Sequence, residues 1–391
     1  MKVNNECVLG NLSGSDLVCF SHLRWNFVYQ RPQHLLSRFA ARCRVFFIEE
    51  PMFDSPTEKL DVNEKNNVWV IVPHFPEGLS PDVVIEGQKK MLSDFFEMME
   101  INRFISWYYT PMALPFTDHL TPALTVYDCM DELSAFKFAP PLLTQLEKQL
   151  LDQADLVFTG GHSIYEAKKH LHHNIHAFPS SIDKSHFGQA RNFTADPPDQ
   201  AAIPHPRFGF FGVLDERFDA DLIRDAAAAR PGWNFVLIGP VVKIDPDTLP
   251  RAANIHYLGP KNYDELPAYL AGWDIAMIPF AINESTRFIS PTKTPEYLAA
   301  GKPVISTPIR DVVKPYGVEN IVHIAHTAEA FIAHAETELS QTNKKLWLRR
   351  VDHFLSDNSW DITWARMAGL LEKGLAGKQH QVTSKTVKAY V

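Results

Sequence analysis

The stretch Ile289-Ser290-Pro291-Thr292-Lys293-Thr294-Pro295-Glu296-Tyr297-Leu298-Ala299-Ala300-Gly301-Lys302-Pro303-Val304-Ile305-Ser306 reads as a loop, a short helix, a glycine stop and a buried strand. Ser290 and Thr294 suit a helix N-cap, and Pro291 and Pro295 suit a first turn. Pro295 has no N–H to bond backwards, so the helix either starts there or is irregular in its first turn. Gly301 suits the left-handed position just past a helix end, Pro303 forbids continuation, and Val304-Ile305 then read as a core strand. Lys293 carries the chemistry. A cation at a helix N-terminus opposes the macrodipole, which makes sense if an anion such as a phosphate sits between it and the free N–H groups. Glu296 is then placed to reach a hydroxyl-bearing group such as a ribose. A solvated lysine and an exposed glutamate on a surface helix would produce the same letters.

On either side of this stretch, apolar strands alternate with amphipathic helices. In the first half, strands are expected at 16–21, 45–51, 67–73, 104–109, 124–129, 155–159 and 174–178, and helices at 32–41, 83–99, 141–154 and 163–170. In the second half, strands are expected at 208–212, 234–240, 255–259 and 274–280, and helices at 220–229, 263–272, 328–337, 342–355 and 360–373, before a polar tail from Lys378. Residues 188–206 are polar and proline-rich, the composition of a linker. The alternation implies an α/β protein with two doubly wound parallel sheets. A chain of 391 residues agrees with this, since roughly 150 residues per domain gives two or three domains.

A formal charge of −8 gives no reason to expect nucleic acid as a partner. The cysteines (Cys7, Cys19, Cys43 and Cys129) all fall in the first third without metal-type spacing, which suits a reducing compartment. No run approaches the ~18 to 20 apolar residues of a membrane span, and residues 1–14 lack the apolar core of a signal peptide. A cytoplasmic location is expected, with contact at the periphery of the inner membrane left open. His170, His172, His173 and His176 cluster without supporting cysteine or carboxylate spacing, so no metal is expected there.

Ligands of open α/β sheets bind outside the carboxyl ends of strands. That makes His22, Arg24 and Trp25, after the first strand, candidate contacts; the alternative is a loop that caps the sheet. Asp128, Asp131 and Glu132 crowd another strand end, placed for chemistry, for a metal or simply for N-capping. A general base needs only one carboxylate in reach of a hydroxyl. Gly209 and Gly212 allow close backbone approach at the first strand of the second half.

Three segments carry a resemblance. Ser290 to Val304 resembles the nucleotide-sugar segment of family-4-like (group 1) glycosyltransferases of the GT-B fold. Pro179-Ser180-Ser181-Ile182-Asp183, with Phe187, is similar to the turn before their linker. Val126-Tyr127-Asp128-Cys129-Met130-Asp131-Glu132-Leu133-Ser134 is similar to the region of the catalytic aspartate in the inverting glucuronosyltransferase of xanthan assembly. The resemblance implies two Rossmann-like domains facing a cleft: an acceptor domain at 1–190, a nucleotide-sugar domain at 206–358, and a C-terminal helix at 359–377 crossing back to the first. It implies donor contacts from Gly212, Arg217, Ser290, Thr292, Lys293 and Glu296, with Asp131 as base. Acceptor contacts are expected from His22, Arg24, Trp25 and Arg31. The implied reaction moves a sugar from a nucleotide-diphosphate donor, UDP-linked by expectation, to a glycan or lipid-linked acceptor in bacterial surface polysaccharide synthesis, without metal or other cofactor. Many retaining relatives carry a second glutamate where Phe288 stands, and Leu214-Asp215-Glu216-Arg217 departs from their usual basic pair. Both departures favour inversion. A UDP-sugar 2-epimerase and a non-catalytic partner subunit use the same fold and stay open as alternatives.

Overall fold

The computed structural model describes residue 12 and residues 14–388; Cys7 and most of the stretch read for a signal peptide lie outside them. The first half builds one sheet from β1 (Asp16–Ser21), β2 (Val45–Glu49), β3 (Lys59–Lys65), β4 (Val68–His74), β5 (Phe104–Tyr108), β6 (Leu124–Cys129), β7 (Leu156–Thr159) and β8 (Ile175–Ala177), in the order β3-β4-β2-β1-β5-β6-β7-β8. The second half builds β9 (Arg207–Phe211), β10 (Asn234–Ile238), β11 (Ile255–Gly259), β12 (Ile275–Ile278), β13 (Val304–Ser306) and β14 (His323–Ile324), in the order β11-β10-β9-β12-β13-β14. Every pairing is parallel except β3 with β4. Apolar runs such as Val45-Phe46-Phe47-Ile48 follow from this, because helices cover both faces of a parallel sheet and no strand face meets water. The order reverses beside β1 and beside β9, so each sheet opens a crevice at the carboxyl ends of its central strands.

β3 was not among the expected strands. Its sequence, Lys59-Leu60-Asp61-Val62-Asn63-Glu64-Lys65, is mostly charged and mostly exposed, as suits an antiparallel edge that must not pair further. The turn into β4 uses Asn66 and Asn67 at φ 55° and 61°, the backbone that a tight hairpin demands.

The quoted stretch folds as loop, helix and strand. The helix spans Lys293–Ala299 with Pro295 in its first turn, where a missing N–H leaves no bond unmade. Gly301 takes φ 76°, and its N–H reaches the Leu298 carbonyl at 2.9 Å while that of Lys302 reaches Tyr297 at 3.0 Å. Val304 and Ile305 are buried beside β12.

The last helix corrects the reading of its end. It runs Trp360–Lys388, past the ends expected at 373 and 377 and into the polar tail from Lys378. Trp360, Met367, Ala368, Leu371 and Leu375 recur at helical spacing and pack on the first sheet with Leu17, Leu35, Trp107 and Leu124. No proline or glycine after Gly377 interrupts it.

Gly209, in the middle of β9, lies flat against the Trp273 indole: a β-carbon there would fall 1.8 Å from the ring. Gly209→Ala is therefore expected to lower the stability of the second domain by about 3 kcal/mol or more, because neither the strand nor the buried indole can move aside. Denaturant unfolding checks this, and an unchanged midpoint would contradict the packing.

Candidate active site

The crowded strand end after β6 sorts its three carboxylates. Asp128 is fully buried and takes a bidentate pair from Arg31, Nε to Oδ2 at 2.9 Å and Nη2 to Oδ1 at 2.9 Å. Glu132 is claimed by Lys168 at 2.8 Å, whose ammonium also holds Glu147 at 2.7 Å. Asp131, between them, has no side-chain partner among the described residues. Burial pushes its carboxyl up to about 6, against the pull of Arg217, Arg31 and Lys293 and with Asp128 adding to the rise. Two of those cations belong to the other domain, so Asp131 looks across the cleft. At the entrance to the turn, Gly160 passes so close that a β-carbon would sit 2.1 Å from the Met130 carbonyl oxygen.

The second domain faces it with cations. Lys293 leans over Gly212, whose φ of 148° only glycine holds easily and whose missing β-carbon would lie 2.4 Å from the lysine Cε. The ammonium stands 5.7 Å from the ring centres of both Phe210 and Phe280 and forms no ion pair or hydrogen bond among the described residues. Burial lowers its pKa, and burial raises that of Glu296, which also lacks a hydrogen-bond partner. The Thr294 hydroxyl and the Tyr263 hydroxyl are buried and unpartnered too. Arg217 is aimed by Asp215, Nη2 to Oδ2 at 2.6 Å. Unmatched buried charge of this kind is costly, and an anionic ligand relieves it. Ser290 and Thr292 stand half-buried beside this group, the Ser290 carbonyl accepting from the Ser180 hydroxyl at 2.8 Å.

On the opposite wall the residues read as acceptor contacts separate. Trp25 is a core side chain, edge-on to Phe47 at 5.0 Å, and offers no face to a ligand. Arg31 is buried, its third nitrogen donating to the Phe178 carbonyl at 2.8 Å, so it supports Asp128 beneath the cleft rather than lining it. Arg24 donates to Glu49 at 3.0 Å and to the Glu50 carbonyl at 2.6 Å. His22 alone of the four keeps an unpartnered buried nitrogen, Nδ1; burial pushes its pKa down to about 4, with the Lys243 charge adding to the drop and the Tyr109 main chain opposing it. The ring is neutral at physiological pH.

Contacts between the halves were not foreseen. The Asp311 carboxylate accepts the Ser163 N–H at 3.0 Å and its hydroxyl, and the Ser285 hydroxyl donates to the Ala135 carbonyl at 2.9 Å. Ser163 reads from sequence as an ordinary helix cap; nothing local shows that its partner lies 148 residues away. Among the described residues, no group of three or more His, Cys, Asp or Glu side chains is arranged to hold a metal ion, the histidines near 170 included. Nor, among them, is any helix long and apolar enough to cross a membrane.

Two α/β domains built on largely parallel sheets and facing a cleft are the arrangement of the GT-B fold. Residues 205–341 match the family described as Glycosyl transferases group 1. Over 354 residues the chain is 23% identical to TuaH of Bacillus subtilis (strain 168), whose name places it among teichuronic acid biosynthesis glycosyltransferases; the match covers 78% of this chain and 88% of the relative. Among solved structures, sucrose-phosphate synthase from Thermosynechococcus elongatus superposes with a TM-score of 0.67 at 14% identity, covering 93% of this chain and all of that one. Anabaena HepE in complex with UDP gives 0.66 at 14% identity, covering 92% and 100%. A trehalose-6-phosphate protein from E. coli bound with UDP-2-fluoro glucose gives 0.65 at 12% identity, covering 93% and 99%. The chain is a glycosyltransferase of the GT-B fold with a group 1 domain in its second half.

The Asp131 proton is held more tightly in the folded protein than in the unfolded chain, so stability falls as pH rises from the ordinary carboxylate range through about 6. Asp131→Asn is expected to be more stable than the native protein at pH 7, by about 1 to 3 kcal/mol for this half-buried group, and to lose that advantage below about pH 4. Urea unfolding at both pH values measures it; equal stability at pH 7 would mean that the carboxylate is not in an unfavourable site.

Proposed function

We propose that the chain transfers a sugar, with inversion, from a UDP-sugar to a hydroxyl of a glycan or lipid-linked acceptor in bacterial surface polysaccharide synthesis. One observation carries this reading: of three carboxylates at the end of β6, only Asp131 is left without a partner, and Lys293 and Arg217 face it across the cleft. The HepE and trehalose-6-phosphate structures, with UDP and a UDP-sugar bound, support the choice of nucleotide, and the name of TuaH supports the polysaccharide context.

In this reading the donor diphosphate takes the Lys293 ammonium and the free Nη1 of Arg217, with Ser290 and Thr292 beside it, while Glu296 takes ribose hydroxyls. Gly212 keeps the strand end low enough for phosphate to approach. These cations meet the diphosphate charge in place of a metal. The acceptor lies on the side of His22, whose neutral ring suits a hydroxyl. Asp131 removes the proton of the attacking hydroxyl as its oxygen bonds to the anomeric carbon. The bond from that carbon to the β-phosphate oxygen breaks, its electron pair leaves with UDP, and attack from the far face inverts the centre. A carboxylate held up to about 6 suits the task, ionised at neutral pH yet basic enough to take the proton. Phe288 leaves no second carboxylate at the position that many retaining relatives use.

Turnover against a panel of UDP-sugars tests the assignment. Asp131→Asn should lower kcat by about 100-fold or more with UDP affinity unchanged, and kcat/KM of the native enzyme should rise with pH to half its maximum near about 6. Lys293→Ala should weaken UDP binding by about tenfold or more, and EDTA should leave turnover intact. Undiminished turnover in Asp131→Asn would remove it as the base, and unaltered UDP affinity in Lys293→Ala would remove the phosphate site.

A further inference from the structure

We propose that Phe136 is a positioning residue through which the donor domain sets the turn that carries Asp131; the inference rests on the reading of Asp131 as base. From Asp131 the chain enters a single helical turn, Leu133–Ala135, and Phe136 closes it. Two cations of the second domain stand over the Phe136 ring, the Arg217 guanidinium carbon 5.4 Å and the Lys243 ammonium 5.7 Å from its centre. The neighbouring Ala135 carbonyl accepts the Ser285 hydroxyl at 2.9 Å. Three contacts from three separate loops of the donor domain therefore grip two consecutive residues of the base-bearing turn.

The other end of the turn is tied to the first domain by Lys168 on Glu132. Asp131 comes one residue before the first anchorage and five before the second, so the placement of this segment bears on where its carboxylate stands. Apart from the donor-domain contacts, the hydrogen bonds of the stretch 133–136 among the described residues are local: Ala135 N–H to the Glu132 carbonyl at 3.0 Å, Phe136 N–H to the Leu133 carbonyl at 3.3 Å, the Ser134 hydroxyl to the Glu132 carboxylate at 2.6 Å and Ala139 N–H to the Phe136 carbonyl at 3.1 Å. A single such turn is marginal by itself. Closure of the donor domain then orders the base, and a bound donor and a placed base become parts of one event. Lys243 has no ion pair among the described residues, and Asp215 already aims Arg217, so both cations are free to use the ring face. That use requires an aromatic ring, since the attraction comes from its quadrupole; leucine of similar bulk lacks it.

Amide hydrogen exchange across 133–136 in the free full-length protein decides the matter, with Phe136→Leu, Phe136→Trp and Ser285→Ala compared with native. Phe136→Leu and Ser285→Ala should speed exchange there by about tenfold or more, while Phe136→Trp stays within about threefold of native. The thermal midpoint of each variant, kept within a few degrees of native, shows that the domains remain folded. Native-like exchange in Phe136→Leu, or equal acceleration in the leucine and tryptophan variants, would overturn the proposal. Exchange needs no turnover, so a failure of Asp131 as base would show in the Asp131→Asn kinetics alone and leave this result readable.

Discussion

An ammonium group without a counter-charge organises the cleft. Lys293 is held over Gly212 and between the rings of Phe210 and Phe280, surroundings that favour a cation weakly and hydrate it poorly. The protein could have neutralised it with an acidic neighbour and has not; Glu296 faces it without reaching ion-pair distance, and Asp215 is turned to Arg217. In the proposed reading, this local deficit of negative charge favours an anionic ligand. Much around it follows: a glycine at the end of β9, a short helix that starts at the lysine, and a strand order that brings β9 and β12 together beneath it.

The first domain solves the opposite problem. It must keep one carboxylate free among three, close to buried cations that would otherwise take it. Arg31 and Lys168 absorb Asp128 and Glu132, and the geometry of the turn keeps Asp131 out of their reach. A carboxylate without an ion-pair partner is thus left by saturating its neighbours. The arrangement makes the flanking carboxylates as important to the site as the one that faces the cleft, although neither touches a ligand.

The features legible in sequence were those with local causes. Gly301 announces its left-handed turn and the Val304-Ile305 pair its burial; alternation of strands and helices carries the rest of the architecture. What the letters hid depends on distant partners. Arg31 and Trp25 sit in a polar loop and read as ligand contacts, but Asp128 and Phe47, far away in the chain, draw them inward. Phe136 carried no reading in the sequence, because the two cations over its ring come from the other half of the chain. β3 was obscured because an edge strand is selected for charge, which masks the alternation that marks a buried one. The end of the last helix was read too short because its continuation is polar.

That last helix has a consequence of another kind. The chain leaves the first sheet at β8, builds the whole second sheet, and comes back at Trp360 to pack beside Leu35 and Trp107. Topologically the second half is an insertion, entering and leaving its host by two neighbouring passages, where Lys184 donates to the Leu355 and Ser356 carbonyls at 2.7 and 2.8 Å. A unit attached by adjacent ends can be exchanged as a cassette without reopening its host's core. Recombination at those two passages would replace one wall of the cleft while leaving the other intact.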